Sequence, residues 1–145
     1  MCKKNAKLKL LTFQNMASIF TRIINGEIPC YKIAEDDNYF AFLDINPLAK
    51  GHTLVVPKIE EDYIFDLSDE TLAGMMVFAK KVAARIKEVT ACKRVAVVVL
   101  GMEVPHAHIH LIPMNSEADV DFKKAKLELT KEEFLEITSR LQIVE

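Results

Sequence analysis

The sequence is short of the features that mark several protein classes. Its three cysteines, Cys2, Cys30 and Cys92, are an odd number with no C-x-x-C pair. That excludes a disulfide framework or a cysteine zinc site. It points to a reducing compartment, the cytoplasm. Charge of either sign is not in excess: 19 basic and 21 acidic residues leave a net −2. Neither a nucleic-acid backbone nor an anionic membrane surface therefore has an electrostatic claim to be the main partner. No apolar run approaches the ~20 residues of a membrane span. No Walker-type or G-x-G-x-x-G loop is present, so phosphate would have to be bound by other means. Internal repeats and low-complexity segments are lacking too. Lys9, Thr12 and Gln14 interrupt the apolar residues near the start, so residues 1–16 make no signal peptide and read as a poorly ordered extension.

What is present is an ordinary globular mix. The chain has 145 residues, 50% hydrophobic and 28% charged, enough for one domain with a real core. Within it stands one unusual stretch, His106-Ala107-His108-Ile109-His110-Leu111-Ile112-Pro113. In a β-strand, alternate residues share a face. The three imidazoles would then line one side, and Ala107, Ile109 and Leu111 would enter a core. Pro113, with no N–H, is expected to end the strand.

The remaining elements follow from pattern. Ser18 caps a short helix with an apolar stripe of Ile19, Phe20, Ile23 and Ile24, ended by Asn25-Gly26. Residues 30–34 and 39–43 form a hairpin around Glu35-Asp36-Asp37-Asn38, and residues 53–56 a third strand closed by Pro57. Ser68 caps a long helix, about 69–89. Its apolar residues Met75, Met76, Val82 and Ala83 exceed what one inward face needs. Residues 95–100 are continuously apolar and read as a strand buried on both faces. A tight link, residues 102–105, makes the histidine strand its antiparallel neighbour. Thr130 and Glu133 form a capping box for a last amphipathic helix. The order gives an α+β fold with one five-stranded antiparallel sheet.

Three in-phase imidazoles suit two chemistries. A metal site is hard to build from one straight strand, because residues two apart lie about 6.6 Å from each other and residues four apart about 13 Å. A metal-bound nitrogen must lie within about 2.1 Å of the ion. Nucleophilic catalysis at phosphorus fits better. A neutral imidazole attacks when its far nitrogen donates to a fixed acceptor, and flanking imidazoles can hold phosphate oxygens. His52, at the head of a strand, is a fourth imidazole. The backbone N–H groups near Gly101 are further phosphate ligands.

The histidine stretch resembles the signature of the histidine triad family, H-φ-H-φ-H-φ-φ with φ apolar. The resemblance extends to Ile19-Phe20-x-x-Ile23-Ile24-x-Gly26-Glu27-Ile28-Pro29, to Phe42-Leu43-Asp44-Ile45-Asn46-Pro47 and to Gly51-His52-Thr53-Leu54-Val55-Val56-Pro57-Lys58. It is to the Hint-like, purine-nucleoside phosphoramidase branch. It implies a triad domain over 17–122 followed by the C-terminal helical segment 123–145. It also implies a homodimer whose two sheets join into ten strands. The implied activity is hydrolysis or transfer at the α-phosphate of a purine nucleotide through a nucleotidyl-histidine; from the residues themselves no cofactor and no metal are expected. His108 matches the nucleophile and His110 the phosphate-oxygen ligand; His106 and His52 match the supporting imidazoles. Asp44 matches the ribose-binding acid with Ile45 beside it, and Phe20, Ile23 and Phe42 match the base pocket.

The sequence departs from the family in two places. Many bacterial members carry a zinc-binding C-x-x-C where this chain has Ser18 and Thr21, and a histidine near Ile59 or Glu60. The loop before the triad is shorter than usual. It keeps Gly101 and Val104 but puts Met102 and Glu103 where glutamine and a hydroxyl residue stand, and Val99 or Leu100 where asparagine stands. Glu103 either turns away from the phosphate or faces the pocket to meet an amine leaving group. The altered loop supports an alternative function, a nucleotide-binding regulatory or scaffold protein with little catalysis. A metal-dependent hydrolase is the third reading.

Overall fold

The computed structural model describes residues 17–144; the segment 1–16 lies outside the described residues. In chain order the elements are α1 (Ile19–Ile24), β1 (Lys32–Glu35), β2 (Tyr39–Leu43), β3 (Thr53–Pro57), α2 (Asp69–Thr90), β4 (Arg94–Val98), β5 (Ile109–Met114) and α3 (Lys131–Leu141). Short 3₁₀ turns occupy Ile64–Asp66 and Glu117–Asp119. The five strands form one antiparallel sheet in the order β1-β2-β3-β5-β4. The architecture is α+β, as the sequence predicts. Among the described residues no helix is long and apolar enough to cross a membrane.

Local chemistry sets the helix ends. Ser18 Oγ accepts from Thr21 N–H at 3.1 Å and starts α1. Ser68 Oγ does the same for Thr71 N–H and α2, with Asp69 and Glu70 in the first turn suiting the helix dipole. Thr130 and Glu133 exchange both hydrogen bonds of a capping box at α3. Gly74 in α2 faces the Tyr39 ring, and a Cβ there would collide with the Tyr39 hydroxyl. That hydroxyl donates to Thr71 O at 2.9 Å, tying β2 to the helix.

The sheet separates two apolar clusters. On one face Ala41, Leu43, Val55, Ile109 and Leu111 pack against Met75, Phe78, Ala79, Val82 and Ile86 of α2, with Phe134 and Leu141 of α3. Full burial of such side chains stabilises by about 1.5–3 kcal/mol each. On the other face Phe20, Phe40, Phe42, Leu54 and Val56 form a smaller cluster with Ile23, Ile24 and Val104. The six-residue α1 covers it with little more than Cys30 and Val104, so it stays open at one end.

Several expectations are corrected. The run from Val95 is not buried on both faces: β4 is an edge strand, and Val97, Val99 and Leu100 are exposed. A continuous apolar run does not reveal whether a neighbouring strand exists. β4 ends at Val98, and the link to β5 is an extended loop rather than a tight one. The first hairpin strand begins at Lys32, with an irregularity between Lys32 and Ala34. β5 begins at Ile109, so His106 and His108 approach the sheet from outside the ladder. Pro113 sits inside β5, beyond the last β3 pair, Thr53 with Leu111, and opposite Val95 of the edge strand. On α2, Met75 and Val82 are consumed by the chain's own core, and the exposed apolar surplus is Met76 and Val77.

Candidate active site

A cavity of about 490 Å³ opens on the α1 side of the sheet. Phe20 and Ile23 of α1 with Phe42 and Leu54 make its apolar half. Asp44, His52, His108 and His110 make its polar half. Gly101, Met102, Glu103, Val104 and Ile45 also line it. Met102 and Ile45 are largely exposed there. Gly101 has φ +69°, a left-handed conformation that glycine adopts without strain.

Sheet register brings the imidazoles together. Leu54 pairs with His110, which places β3's neighbour His52 beside β5. The hydrogen bonds then fix each proton. Leu48 N–H donates to His52 Nδ1 at 3.0 Å, so the His52 proton is on Nε2. That nitrogen donates to His110 Nδ1 at 2.9 Å, with Asp44 Oδ2 also 3.5 Å away. His110 must therefore carry its own proton on Nε2, where it can donate to a ligand.

His108 is set the opposite way. Its Nδ1–H donates to the His106 carbonyl at 2.7 Å. Its Nε2 is left with a free lone pair, the state a nucleophile needs. Phe20 stands edge-on to this ring with centroids 5.0 Å apart. His106 itself does not line the cavity. It lies fully buried behind it, with Nε2–H donating to Pro57 O at 2.8 Å and Nδ1 accepting from the Ser18 hydroxyl at 2.7 Å. Glu60 completes the network: it accepts from Ser18 N–H and, at 3.0 Å, from the Thr21 hydroxyl.

Burial disfavours charge on His52, His106 and His110. With the charges of His110 and Lys126 acting in the same direction, burial pushes His52 down to about 3. Burial, then His108 and Lys126, pushes His110 to about 4. Burial also lowers His106, against the opposing pull of the Pro57 carbonyl and Glu60. Asp44 moves up because burial outweighs the Asn46 N–H that it accepts. Burial works against the Glu60 charge as well, but the Ser18 and Thr21 hydrogen bonds prevail and hold that carboxyl low.

The fold thus gathers the residues the sequence singles out, apart from His106, around one cavity. It also gives residues parts that the sequence does not reveal. Ser18 and Glu60 are marked as a helix cap and as departures from the family's zinc-binding positions, but the Ser18 bond to His106, 88 positions away, is not legible there. Phe122 and Lys126 come from the tail, with no signal beyond an aromatic and a lysine four apart.

Neither cluster fits a metal well. At the Ser18–Thr21–Glu60–His106 corner, hydroxyls stand where a zinc site would need thiolates, and all four side chains are hydrogen-bonded to one another or to backbone. The donor atoms of Asp44, His52 and His110 all lie within 4.8 Å of one another. There His52 Nε2 carries the proton because Nδ1 is committed to Leu48. A metal would have to displace that proton and the backbone bond together.

Comparisons with known proteins bear on the family and the fold. The family model for the HIT domain matches residues 25–117. An uncharacterized HIT-like protein of Borreliella burgdorferi is 35% identical over 133 residues, covering 86% of this chain and 96% of its own length. A protein of Schizosaccharomyces pombe named adenosine 5'-monophosphoramidase hnt1 is 40% identical over 107 residues, covering 70% and 77%. The crystal structure of a Hit-like protein from Bartonella henselae superposes with a TM-score of 0.74 at 29% identity, over 86% of this chain and 94% of that one. Motif, fold and relatives converge: the chain belongs to the histidine triad (HIT) family.

Proposed function

We propose that this protein hydrolyses purine nucleoside phosphoramidates or related nucleotides, or transfers their nucleotidyl group, at the α-phosphate through a nucleotidyl-His108 intermediate. The observation that carries the reading is the tautomer pair. His108 Nδ1–H is spent on the His106 carbonyl, and His52 drives the His110 proton onto Nε2. One cavity imidazole is a nucleophile and its neighbour an oxyanion donor. His108 Nε2 attacks phosphorus as the P–N bond breaks, and the departing amine takes up a proton from solvent. Water then attacks phosphorus, breaks its bond to His108 Nε2, releases the nucleotide, returns a proton to solvent and restores the neutral imidazole. Phe20, Ile23 and Phe42 hold the base, and Asp44 with Ile45 beside it faces the ribose hydroxyls. Gly101, Met102 and Glu103 border the phosphate.

The exposed apolar residues Val97 and Val99 around the β4 edge, with Met76 and Val77 of α2, support a two-fold dimer. Sedimentation at micromolar concentration checks this, and a monomer would refute it. The test of the chemistry is incubation with adenosine 5'-phosphoramidate. AMP release with an intact-mass increase of one adenylyl group, both absent in His108→Ala, supports the proposal. Turnover retained in His108→Ala sinks it. Nucleotide binding without turnover by the native chain would favour the binding-only alternative, to which the hydroxyl-free loop points.

A further inference from the structure

The tail before α3 crosses the imidazole end of the cavity. Lys124 N–H bonds Asp121 O at 3.1 Å within the segment, and Leu127 N–H bonds Pro47 O at 2.9 Å and pins it to the loop after β2. Phe122 sets its ring edge-on to His110, with centroids 5.0 Å apart, and to His52, at 6.3 Å. The Lys126 ammonium lies 5.2 Å over that ring and donates to Phe122 O at 2.8 Å. Both side chains line the cavity. Among the described residues no carboxylate lies within ion-pair distance of Lys126. Its charge is felt by the site instead, opposing charge on His52 and His110 and favouring it on Asp44.

The transferred phosphoryl group already has His108 to attack it and His110 to bind its oxygen. A further cation is useful when a second anionic group departs beside the first. The other charged side chains lining the cavity, Asp44 and the exposed Glu103, are of the wrong sign for that task. We propose that Lys126, seated on Phe122, determines leaving-group specificity, favouring nucleotidyl mixed anhydrides whose departing group is an anion over phosphoramidates that release a neutral amine. This rests on the α-phosphate chemistry proposed above. In that step the His108 Nε2–P bond forms as the bridging P–O bond breaks. The electron pair leaves on the departing oxyanion, whose charge Lys126 stabilises without a proton transfer. A departing amine must instead acquire a proton and develops no negative charge for Lys126 to meet.

The test compares native protein, Lys126→Gln and Lys126→Arg on adenosine 5'-phosphosulfate, which releases sulfate, and on adenosine 5'-phosphoramidate. Lys126→Gln should lower kcat/KM for the phosphosulfate about tenfold, a modest share of one unscreened charge interaction. It should change the phosphoramidate less than about twofold, and Lys126→Arg should restore the preference. Equal losses on both substrates, or no loss on either, overturn the inference. Titration with AMP and with adenosine 5'-(α,β-methylene)diphosphate separates this from the underlying chemistry. If the native protein turns over neither substrate, the proposed function fails. The subsite stands if Lys126→Gln selectively weakens the diphosphate analogue, and falls if the ratio of the two affinities is unchanged.

Discussion

The two faces of the sheet are made from the same strands and put to different uses. On the α2 side, Leu43, Val55, Ile109 and Leu111 are sealed under two helices. On the α1 side, the alternate residues Phe42, Leu54 and His110 meet a six-residue helix and a cavity. A period of two lets one strand supply the core through Ile109 and Leu111 and the chemistry through His110. Core-side residues fix where the strands lie. Cavity-side residues then stay within fixed hydrogen-bond distances.

That division predicts separable damage. The largest effect is expected from His108→Ala: turnover falls on the order of 10⁴-fold or more while the melting temperature barely moves. His110→Ala removes the phosphate-oxygen donor and should cost about 10²–10³-fold in kcat, with Phe122 left against the gap. Leu111→Ala, one residue along the same strand, should do the reverse. It costs about 2–5 kcal/mol of stability by denaturant titration and leaves kcat per folded molecule within a few-fold. Equal loss of activity in Leu111→Ala and His110→Ala would break the comparison.

Acidification sharpens it further. His52, His106 and His110 have folded-state pKa values below the ordinary 6.5, so the unfolded chain binds protons first as pH falls. Their contribution to stability is complete above pH 6.5 and is lost below it, at up to about 1.4 kcal/mol per pH unit for each proton. Denaturant midpoints measured from pH 7 to pH 5 should therefore fall, and a flat profile would contradict the burial of neutral imidazoles. Exhaustive chelation should have the smallest effect, leaving activity unchanged. Loss of activity with chelator and recovery with zinc would assign Asp44, His52 and His110 to a metal instead.

Legibility in the sequence follows the range of the interaction. The capping residues Ser18, Ser68 and Thr130 act on backbone three residues away, so the helix starts are readable. The alternation through His106–Leu111 names in advance which side chains enter the core. The burial of β4 is not readable, because Val95–Leu100 looks the same as an inner or an edge strand. Its place depends on which strands come to lie beside it. The Ser18–His106 and Phe122–His110 contacts join segments far apart in sequence. Nothing local in Ser18 or Phe122 differs from a cap or a surface aromatic. The altered loop at Met102-Glu103 is legible as a departure from the family, but its exposure emerges only from the fold.

The central claim is that His108 carries the nucleotidyl group between two displacements. The stereochemical course at phosphorus tests it most directly. A P-chiral adenosine 5'-phosphorothioamidate, hydrolysed in isotopically labelled water, should give a product with retained configuration, because each in-line attack inverts the centre once. Net inversion would show that water attacks phosphorus directly and would contradict the account.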